Sequence, residues 1–175
     1  MRVKNLKIPG VKLFTFKKYK DKRGEFIEIF ITNFLKEKKK YYQINYSFSK
    51  KNVFRGLHLQ KEKFMQSKYI WVDEGKILDI IVDLRKTSKF FGKHIKIILK
   101  KHKHALFIPK GCAHGFLALE NKNNVYYLVD NKYSKKDEVT LNVFDPSLKI
   151  NLKKKIIISS KDTAGLSLNA ISKIF

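Results

Sequence analysis

The sequence predicts an all-β fold, a sandwich or barrel of many short strands with one or two short helices. Apolar residues recur with period two, most regularly over residues 76–84, where Leu78, Ile80, Val82 and Leu84 share one face. Turn-forming stretches separate the strand-like segments at short intervals. Hydrophobic residues make up 43% of the chain, including 14 Phe and 8 Tyr, which excludes a disordered chain.

The remaining predicted elements follow from the same patterns. We predict further strands at residues 94–99, 105–108, 116–119, 125–129, 139–144 and 156–158. Residues 120–124, Glu-Asn-Lys-Asn-Asn, are rich in turn formers and predict a hairpin connection. One helix is predicted near residues 32–40, with Thr32 or Asn33 as its N-cap.

The length and the cysteine content limit the class of protein. A chain of 175 residues is expected to form one domain, residues 1–175, with a substantial core. No signal peptide is predicted, and the apolar runs are too short to cross a bilayer, so we expect no membrane contact. The single cysteine, Cys112, rules out an internal disulfide and suits a reducing cytoplasm.

The net charge of +24 raises the question of nucleic-acid binding. Only four of the 39 basic residues are Arg, so 35 are Lys, and the lysines are scattered along the whole chain. That distribution is typical of a solvated surface, and no specific nucleic-acid partner is expected. Against this background Arg23 and Arg55, each followed by Gly, are informative because a guanidinium binds phosphate or carboxylate bidentately. The alternative for both is a structural role in a turn.

One short run, Arg-Gly-Leu-His-Leu-Gln at residues 55–60, combines a cation, a candidate base and an amide. A lone histidine between leucines is often a satisfied core residue. In a strand, however, residues 56, 58 and 60 share a face, so His58 and Gln60 lie together on a polar face. This neighbourhood favours His58 as a general base with a pKa near neutrality.

A second motif, Pro-x-Gly-x-x-His, ends at His114 and resembles a signature of cupin barrels. Metal-binding cupins add a His-x-His pair and a carboxylate, whereas the matching stretch here, residues 58–60, contains one histidine. Two histidines without a third ligand form a poor divalent-metal site, so no metal and no cofactor is expected. Cys112 near His114 could be read as a nucleophile, but a small buried residue is the commoner role of such a cysteine.

Motifs spread from about residue 8 to residue 165 form one ordered series. They are Asp-x-Arg-Gly-x-Phe at 21–26, Gln-Ile-Asn at 43–45, Arg-Gly-Leu-His-x-Gln at 55–60, Gly-x-x-x-Asp-x-x-Val-Asp-x-Arg at 75–85, Ile-Pro-x-Gly-x-Ala-His-Gly-Phe at 108–116 and Ser-Lys-Asp at 160–162. With them the chain resembles the dTDP-4-dehydrorhamnose 3,5-epimerases, which act on nucleotide-linked 4-keto sugars. The resemblance implies a metal-free, cupin-like jelly-roll barrel that forms a homodimer.

The resemblance also implies catalytic roles. His58 would be the base, paired with Asp162, which fixes the tautomer and stabilises the imidazolium. Asp79 is a second carboxylate that could share this role. Lys68 would stabilise the enolate at the 4-keto oxygen, and Tyr127 would return a proton to the opposite face of the carbon.

Other matched positions are implied to bind the substrate, a nucleotide-diphosphate 4-keto sugar. Contacts to the diphosphate and the sugar hydroxyls are expected from Arg23, Arg55 and His114. Hydrogen bonds to neutral groups are expected from Glu28, Gln43 and Asn45. The other positions expected in the cleft are Tyr19, Gln60, Asp79, Lys132 and Tyr133.

The chain departs from the family at the expected nucleotide pocket. The Tyr-Tyr pair in which an aromatic ring stacks on thymine reads Lys132-Tyr133, and the usual Gln-Asp-Asn reads Gln-Ile-Asn at 43–45. If Lys132 occupies the stacking position, the thymine platform is missing. This predicts a base other than thymine, with a GDP-linked 4-keto heptose for a capsule or lipopolysaccharide as the leading hypothesis; whether C3, C5 or both are inverted stays open.

Two other functions are compatible with such a barrel. One is a sugar-nucleotide ketoisomerase, which also needs a base near a ketone. The other is a non-catalytic barrel that binds a nucleotide sugar or a polyanion. The joint presence of His58, Lys68, Tyr127 and Asp162 favours the epimerase over both.

Overall fold

A computed structural model describes residues 1–35, 40–152 and 155–174. The strands are β1 Arg2–Asn5, β2 Lys12–Thr15, β3 Lys18–Asp21, β4 Gly24–Ile27, β5 Gln43–Ser49, β6 Phe54–Gln60, β7 Lys68–Glu74, β8 Lys76–Asp83, β9 His94–Lys100, β10 His104–Ile108, β11 Cys112–Ala118, β12 Asn123–Val129 and β13 Glu138–Thr140. The helices are α1 Ser160–Thr163 and α2 Leu168–Ile174, with 3-10 turns at Thr32–Leu35, Glu62–Phe64, Lys135–Asp137 and Pro146–Leu148.

Two antiparallel sheets form the body of the protein. One has six strands in the order β1-β2-β10-β7-β12-β5, and the other has five in the order β13-β6-β11-β8-β9. β3 and β4 pair only with each other, as a separate hairpin. The sheets face each other across a shared apolar layer, to which Ile70 and Leu106 contribute from one sheet and Ile81 and Phe116 from the other. The predicted all-β jelly-roll barrel with short helices is confirmed.

Strand β8 shows how the alternating pattern builds two cores at once. Ile77 and Ile81 point into the layer between the sheets. Ile80 and Val82 point to the outer face of the five-stranded sheet, where Ile171 of α2 helps to cover them. All five side chains are fully buried, and each contributes about 1.5–3 kcal/mol of hydrophobic free energy. The two-faced strand predicted over residues 76–84 is therefore confirmed.

The outer face of the six-stranded sheet is also apolar and aromatic. Trp71 of β7 stacks on Tyr126 of β12 with ring centroids 5.5 Å apart, and Phe14 of β2 packs edge-on against Tyr69 of β7. Along β5 this face reaches the surface, where Ile44 is 58% exposed. An apolar face that continues into solvent is a surface available for association.

Some predicted elements differ from the structure. The helix near residues 32–40 is a 3-10 turn over Thr32–Leu35, and residues 36–39 lie outside the described part of the chain. The strand at 139–144 ends at Thr140, where the chain turns to bridge Leu141 with Leu166. The strand at 156–158 is wrong: Ile157 forms one isolated bridge and is 60% exposed. Within the described ranges, no helix is long and apolar enough to span a membrane.

Candidate active site

The candidate site is a cleft between the two sheets, made of two lobes of about 320 and 390 Å³ that share three side chains. The shared side chains are His58, Lys68 and Tyr127. The polar lobe adds Gln43, Asn45, Leu59, Gln60, Gln66, Val129, Tyr133 and Glu138. The basic lobe adds Tyr46, Ser47, Arg55, His114, Phe116, Ser159, Lys161 and Asp162. The sequence-predicted base, cation and acid thus meet at the junction of both lobes.

His58 and Asp162 form a close pair. His58 Nε2 lies 2.7 Å from Asp162 Oδ1, and the N–H of Gly56 donates to Asp162 Oδ2 at 3.1 Å. Because a carboxylate only accepts, the neutral ring carries its proton on Nε2 and its lone pair on Nδ1. Burial lowers the pKa of His58 below its usual value, although Asp162 partly opposes this shift. The imidazole is therefore neutral at neutral pH and able to accept a proton.

Two glycines allow the strands to meet at this site. Gly56 has φ +119°, and a Cβ there would stand 2.5 Å from Gly115 Cα in the neighbouring strand β11. Opposite it, the β6–β11 register shifts between His114 and Phe116, as a bulge does. The N–H of Gly56 donates to Asp162. The glycine of the Arg-Gly-x-His motif is thus required by the close approach of the two strands, in addition to the chemical role of the histidine.

A second histidine–carboxylate pair lies beside the first. His114 is directly opposite His58 in the β6–β11 register, and its Nε2 lies 2.8 Å from Asp79 Oδ2 on β8. Asp79 is fully buried, and its Oδ1 has no hydrogen-bond partner among the described residues. Asp79 also raises the pKa of Lys68. Asp79 therefore holds His114 and favours the protonated form of Lys68.

Lys68 and Tyr127 project into the cleft from the six-stranded sheet, opposite His58. Burial lowers the pKa of Lys68 to about 8, against the opposing effects of Asp79 and Glu138. Burial raises the pKa of Tyr127, so its phenol stays protonated at neutral pH. A cation with an accessible proton, a neutral phenol and a neutral imidazole can together serve proton-transfer chemistry at one carbon centre.

Several predicted binding residues line the lobes. Arg55 donates from Nε to Ser49 Oγ at 2.9 Å and from Nη2 to the Phe48 carbonyl at 3.0 Å, which holds its guanidinium at the basic lobe. Gln43 Nε2 donates to Asn45 Oδ1 at 2.6 Å in the polar lobe. These groups form a set of fixed donors and acceptors.

The two residues of the pair at 132–133 differ in their relation to the cleft. Tyr133 lines the polar lobe and is 53% exposed, and its hydroxyl donates to Glu138 Oε2 at 3.0 Å. Lys132 is exposed and is not among the side chains that line either lobe. The cleft therefore contains an aromatic ring, that of Tyr133, and the loss of a platform at Lys132 stays a prediction.

Two charged cleft residues, Glu138 and Lys161, were missed in the sequence-based prediction of site residues. Glu138 pairs with Gln60 in the β6–β13 register and accepts a hydrogen bond from Lys161 Nζ. Lys161 immediately precedes Asp162 in α1, so this ion pair links β13 to the helix that carries the aspartate. The available signal was the position of Lys161 beside Asp162; Glu138 stands in a lysine-rich stretch and carries no comparable signal.

Three predicted binding residues lie away from the cleft within one chain. Tyr19 and Arg23 belong to the β3–β4 hairpin region, and Glu28 follows it; none of the three lines either lobe. The Arg23 side chain is 84% exposed and donates to Asp21. A single chain therefore does not bring these residues to His58.

The structure also bears on the metal and thiol alternatives. Over residues 1–35, 40–152 and 155–174, no three His, Cys, Asp or Glu side chains are grouped so that they could hold a metal ion. Cys112 is buried, as expected, and burial raises the pKa of its thiol to about 12. A protonated, enclosed thiol is a poor nucleophile.

Comparison with known proteins agrees with the fold. The sequence model of the dTDP-4-dehydrorhamnose 3,5-epimerases matches residues 5–170. The dTDP-4-dehydrorhamnose 3,5-epimerase of Shigella flexneri is 37% identical over 171 residues, which cover 94% of each chain. The dTDP-6-deoxy-D-glucose-3,5-epimerase of Legionella pneumophila, solved with dTDP-4-keto-L-rhamnose, is 34% identical with a TM-score of 0.93, covering 99% of this chain and 95% of its own.

A further solved relative is the dTDP-4-dehydrorhamnose 3,5-epimerase of Sulfolobus tokodaii, 39% identical with a TM-score of 0.87, covering 96% of this chain and 95% of its own. These relatives are named for dTDP sugars, so the hypothesis of a GDP-linked heptose finds no support in them. The match over most of the sequence, together with the shared fold, shows that this chain belongs to the dTDP-4-dehydrorhamnose 3,5-epimerase family and is an isomerase that acts on carbohydrates.

Proposed function

We propose that the protein epimerises a dTDP-linked 4-keto-6-deoxy sugar at C3, at C5 or at both. The observation that carries this proposal is the meeting of His58, Lys68 and Tyr127 at the junction of the two lobes. The names of the relatives support dTDP as the nucleotide. The exposed ring of Tyr133 supports a stacking contact with a nucleobase in the polar lobe.

In this proposal His58 removes the proton from the carbon beside the ketone. The C–H electron pair becomes the enolate, with negative charge on the 4-keto oxygen. Asp162 accepts from Nε2 and stabilises the imidazolium that forms. The pKa of His58, lowered by burial, supports a ring that is unprotonated and ready to act at neutral pH.

Lys68 is proposed to donate to the developing enolate oxygen. The half-buried ammonium is partly desolvated, which strengthens its field at that oxygen. Asp79 and Glu138 support the protonated form of Lys68, since each raises its pKa.

Tyr127 is proposed to return a proton to the opposite face of the same carbon. Inversion needs a base and an acid on opposite sides of the sugar. His58 stands on the five-stranded sheet and Tyr127 on the six-stranded sheet, so the two project into the cleft from opposite walls. The raised pKa of Tyr127 keeps the phenol protonated until the enolate forms.

The basic lobe is proposed to bind the diphosphate, because Arg55 and Lys161 supply two cations there. Arg23, Tyr19 and Glu28 stay predicted substrate contacts, and we propose that they reach the cleft from the second subunit of a homodimer. The outer aromatic face of the six-stranded sheet, extended by Ile44, is the apolar surface on which two copies would pair.

Conversion of dTDP-4-keto-6-deoxyglucose, followed by proton NMR, tests the proposal against a non-catalytic barrel. The wild-type protein is expected to convert the sugar, and the His58→Asn variant is expected to bind dTDP with similar affinity while losing turnover by at least about 100-fold. No conversion by a folded wild-type protein, or undiminished conversion by the variant, would overturn the proposed function. A GDP-linked analogue converted faster than the dTDP sugar would overturn the choice of nucleotide.

A further inference from the structure

A second hollow of about 380 Å³ lies elsewhere on the surface and shares no residue with the cleft. Three segments far apart in the sequence form it: residues 7–8 between β1 and β2, residues 89–95 at the start of β9, and residues 147–149. Its size is within the range of small-molecule sites in proteins. A hollow built by three separate segments is a feature of the tertiary fold and not of one loop.

The charge around this hollow, here called the lysine pocket, has a single sign. Four exposed lysines stand at its rim: Lys7, Lys89, Lys93 and Lys149. None of its lining residues is acidic, and no carboxylate in the described part of the chain lies within salt-bridge distance of these four ammonium groups. Unopposed cations around a concave surface concentrate the positive potential inside it.

The interior of the lysine pocket is apolar. Ile8 and Leu148 are buried beneath it, and the half-buried rings and branches of Phe90 and Ile95 form its walls. His94 completes the wall and bonds to the backbone of Leu148. A ligand that fits this surface has an anionic end for the lysines and an apolar or ring part for the interior.

The neighbouring carboxylate and the wall at Gly92 are both fixed by contacts within the protein. Asp145, two residues before Ser147, accepts from Ser147 N at 2.8 Å and from Ser147 Oγ at 2.7 Å through one oxygen, and from Leu168 N at 2.6 Å through the other. Both of its oxygens are therefore engaged within the protein. Gly92 has φ +73°, and a Cβ there would come within 2.8 Å of Leu168 Cδ2. The pocket wall at Gly92 is therefore packed closely against Leu168 of α2.

We propose that the lysine pocket binds a small organic phosphate, a phosphorylated molecule with a ring or apolar portion, at a site separate from the catalytic cleft. The phosphate contacts the lysine rim, and the ring packs on Phe90. The site requires none of the residues to which catalysis is assigned.

Phenyl phosphate and inorganic phosphate are suitable probes, because they share the anion and differ in the ring. In a titration followed by ¹H–¹⁵N NMR, phenyl phosphate is expected to shift the amides of residues 89–95 and 147–149 and to bind there at least about fivefold more tightly than inorganic phosphate. The Phe90→Ala variant is expected to lose that preference. Amides around Arg55 report binding in the cleft separately.

A charge-matched pair of variants separates a built site from bulk attraction. Lys93→Glu/Lys149→Glu is expected to weaken phenyl phosphate binding at the pocket by at least about tenfold. Lys4→Glu/Lys122→Glu makes the same change in net charge at two exposed positions outside the pocket and is expected to change the affinity less than about twofold. Absence of shifts at 89–95 and 147–149, or an equal loss in both double variants, would overturn the proposal.

Discussion

His58 and Asp162 are separated by 104 residues in the sequence, and in the fold His58 Nε2 lies 2.7 Å from Asp162 Oδ1. The other oxygen of Asp162 accepts the N–H of Gly56, two residues before the histidine. The carboxylate therefore holds both the ring and its strand. With Nε2 engaged, Nδ1 is the nitrogen left to accept a proton from substrate.

Replacing Asp162 with Asn tests this coupling. The amide keeps the shape but can present its NH2 to Nε2, which favours the wrong tautomer, and it no longer stabilises the imidazolium. We expect kcat to fall by about 10²–10⁴-fold while KM changes less than about threefold. Steady-state kinetics with the dTDP sugar give both constants. Asp73→Asn, a change at a surface carboxylate outside the cleft, is the control, and an equal loss of kcat in it would refute the assignment.

The pH dependence of kcat/KM follows from two groups. His58 must be unprotonated, so activity rises with pH through a midpoint below 6.5, since burial lowers its pKa. Lys68 must be protonated, so activity falls as pH rises through about 8. In Lys68→Arg the guanidinium does not titrate in this range, and the alkaline decline near pH 8 should disappear. An unchanged decline in this variant would assign that limb to another group.

Asp79 should control the position of that alkaline limb. Its charge raises the pKa of Lys68. Asp79→Asn removes the charge, so Lys68 should lose its proton at a lower pH and the decline in kcat/KM should begin earlier. A midpoint that stays the same or rises would contradict this electrostatic link. Urea denaturation of the same variant is expected to show a loss of about 1–3 kcal/mol, because the buried bond to His114 is weakened.

Gly56 is expected to be intolerant of a side chain. A Cβ there would stand 2.5 Å from Gly115 Cα, in addition to the strain of a positive φ. Gly56→Ala should lower the free energy of unfolding by roughly 3 kcal/mol or more. Gly24→Ala is a matched control, since Gly24 also has a positive φ, +134°, but no atom lies within 4 Å of the position that an alanine methyl would take; it should cost only about 1–2 kcal/mol. Equal losses would show that contact with Gly115 is unimportant.

The proposed subunit interface is tested by a pair of isoleucines. Ile44 and Ile98 are 58% and 46% exposed, but only Ile44 extends the outer aromatic face. Sedimentation velocity should give a wild-type mass of twice 20.6 kDa. Ile44→Lys should shift the protein towards the monomer and raise KM, while Ile98→Lys should leave both unchanged. A monomeric wild-type protein would refute the interface.

Secondary structure was predicted best from the sequence where a periodic apolar pattern coincided with burial. Strand β8 alternates apolar residues on both faces, and the structure buries both. The cleft residues His58, Lys68, Tyr127 and Asp162 come together as expected. His58 and Asp162 lie in distinctive motifs, whereas Lys68 and Tyr127 were expected from the family resemblance alone.

The misses have physical reasons. The hairpin β3–β4 is short and almost wholly exposed, so it has no apolar alternation to detect. Ile157 lies in an apolar triplet, yet it is mostly exposed, because its segment crosses the surface and pairs at one position only. Glu138 enters the cleft through its register with Gln60, which is a tertiary relationship that no local pattern carries.

The most direct test of the account is solvent-deuterium incorporation into the dTDP-4-keto sugar, followed by proton NMR in D2O. The enolate mechanism predicts that wild-type protein exchanges the protons at C3, C5 or both, that His58→Asn abolishes this exchange, and that Tyr127→Phe slows inversion more than proton removal. Conversion of the sugar without any deuterium at these carbons would contradict the assignment of His58 as the base.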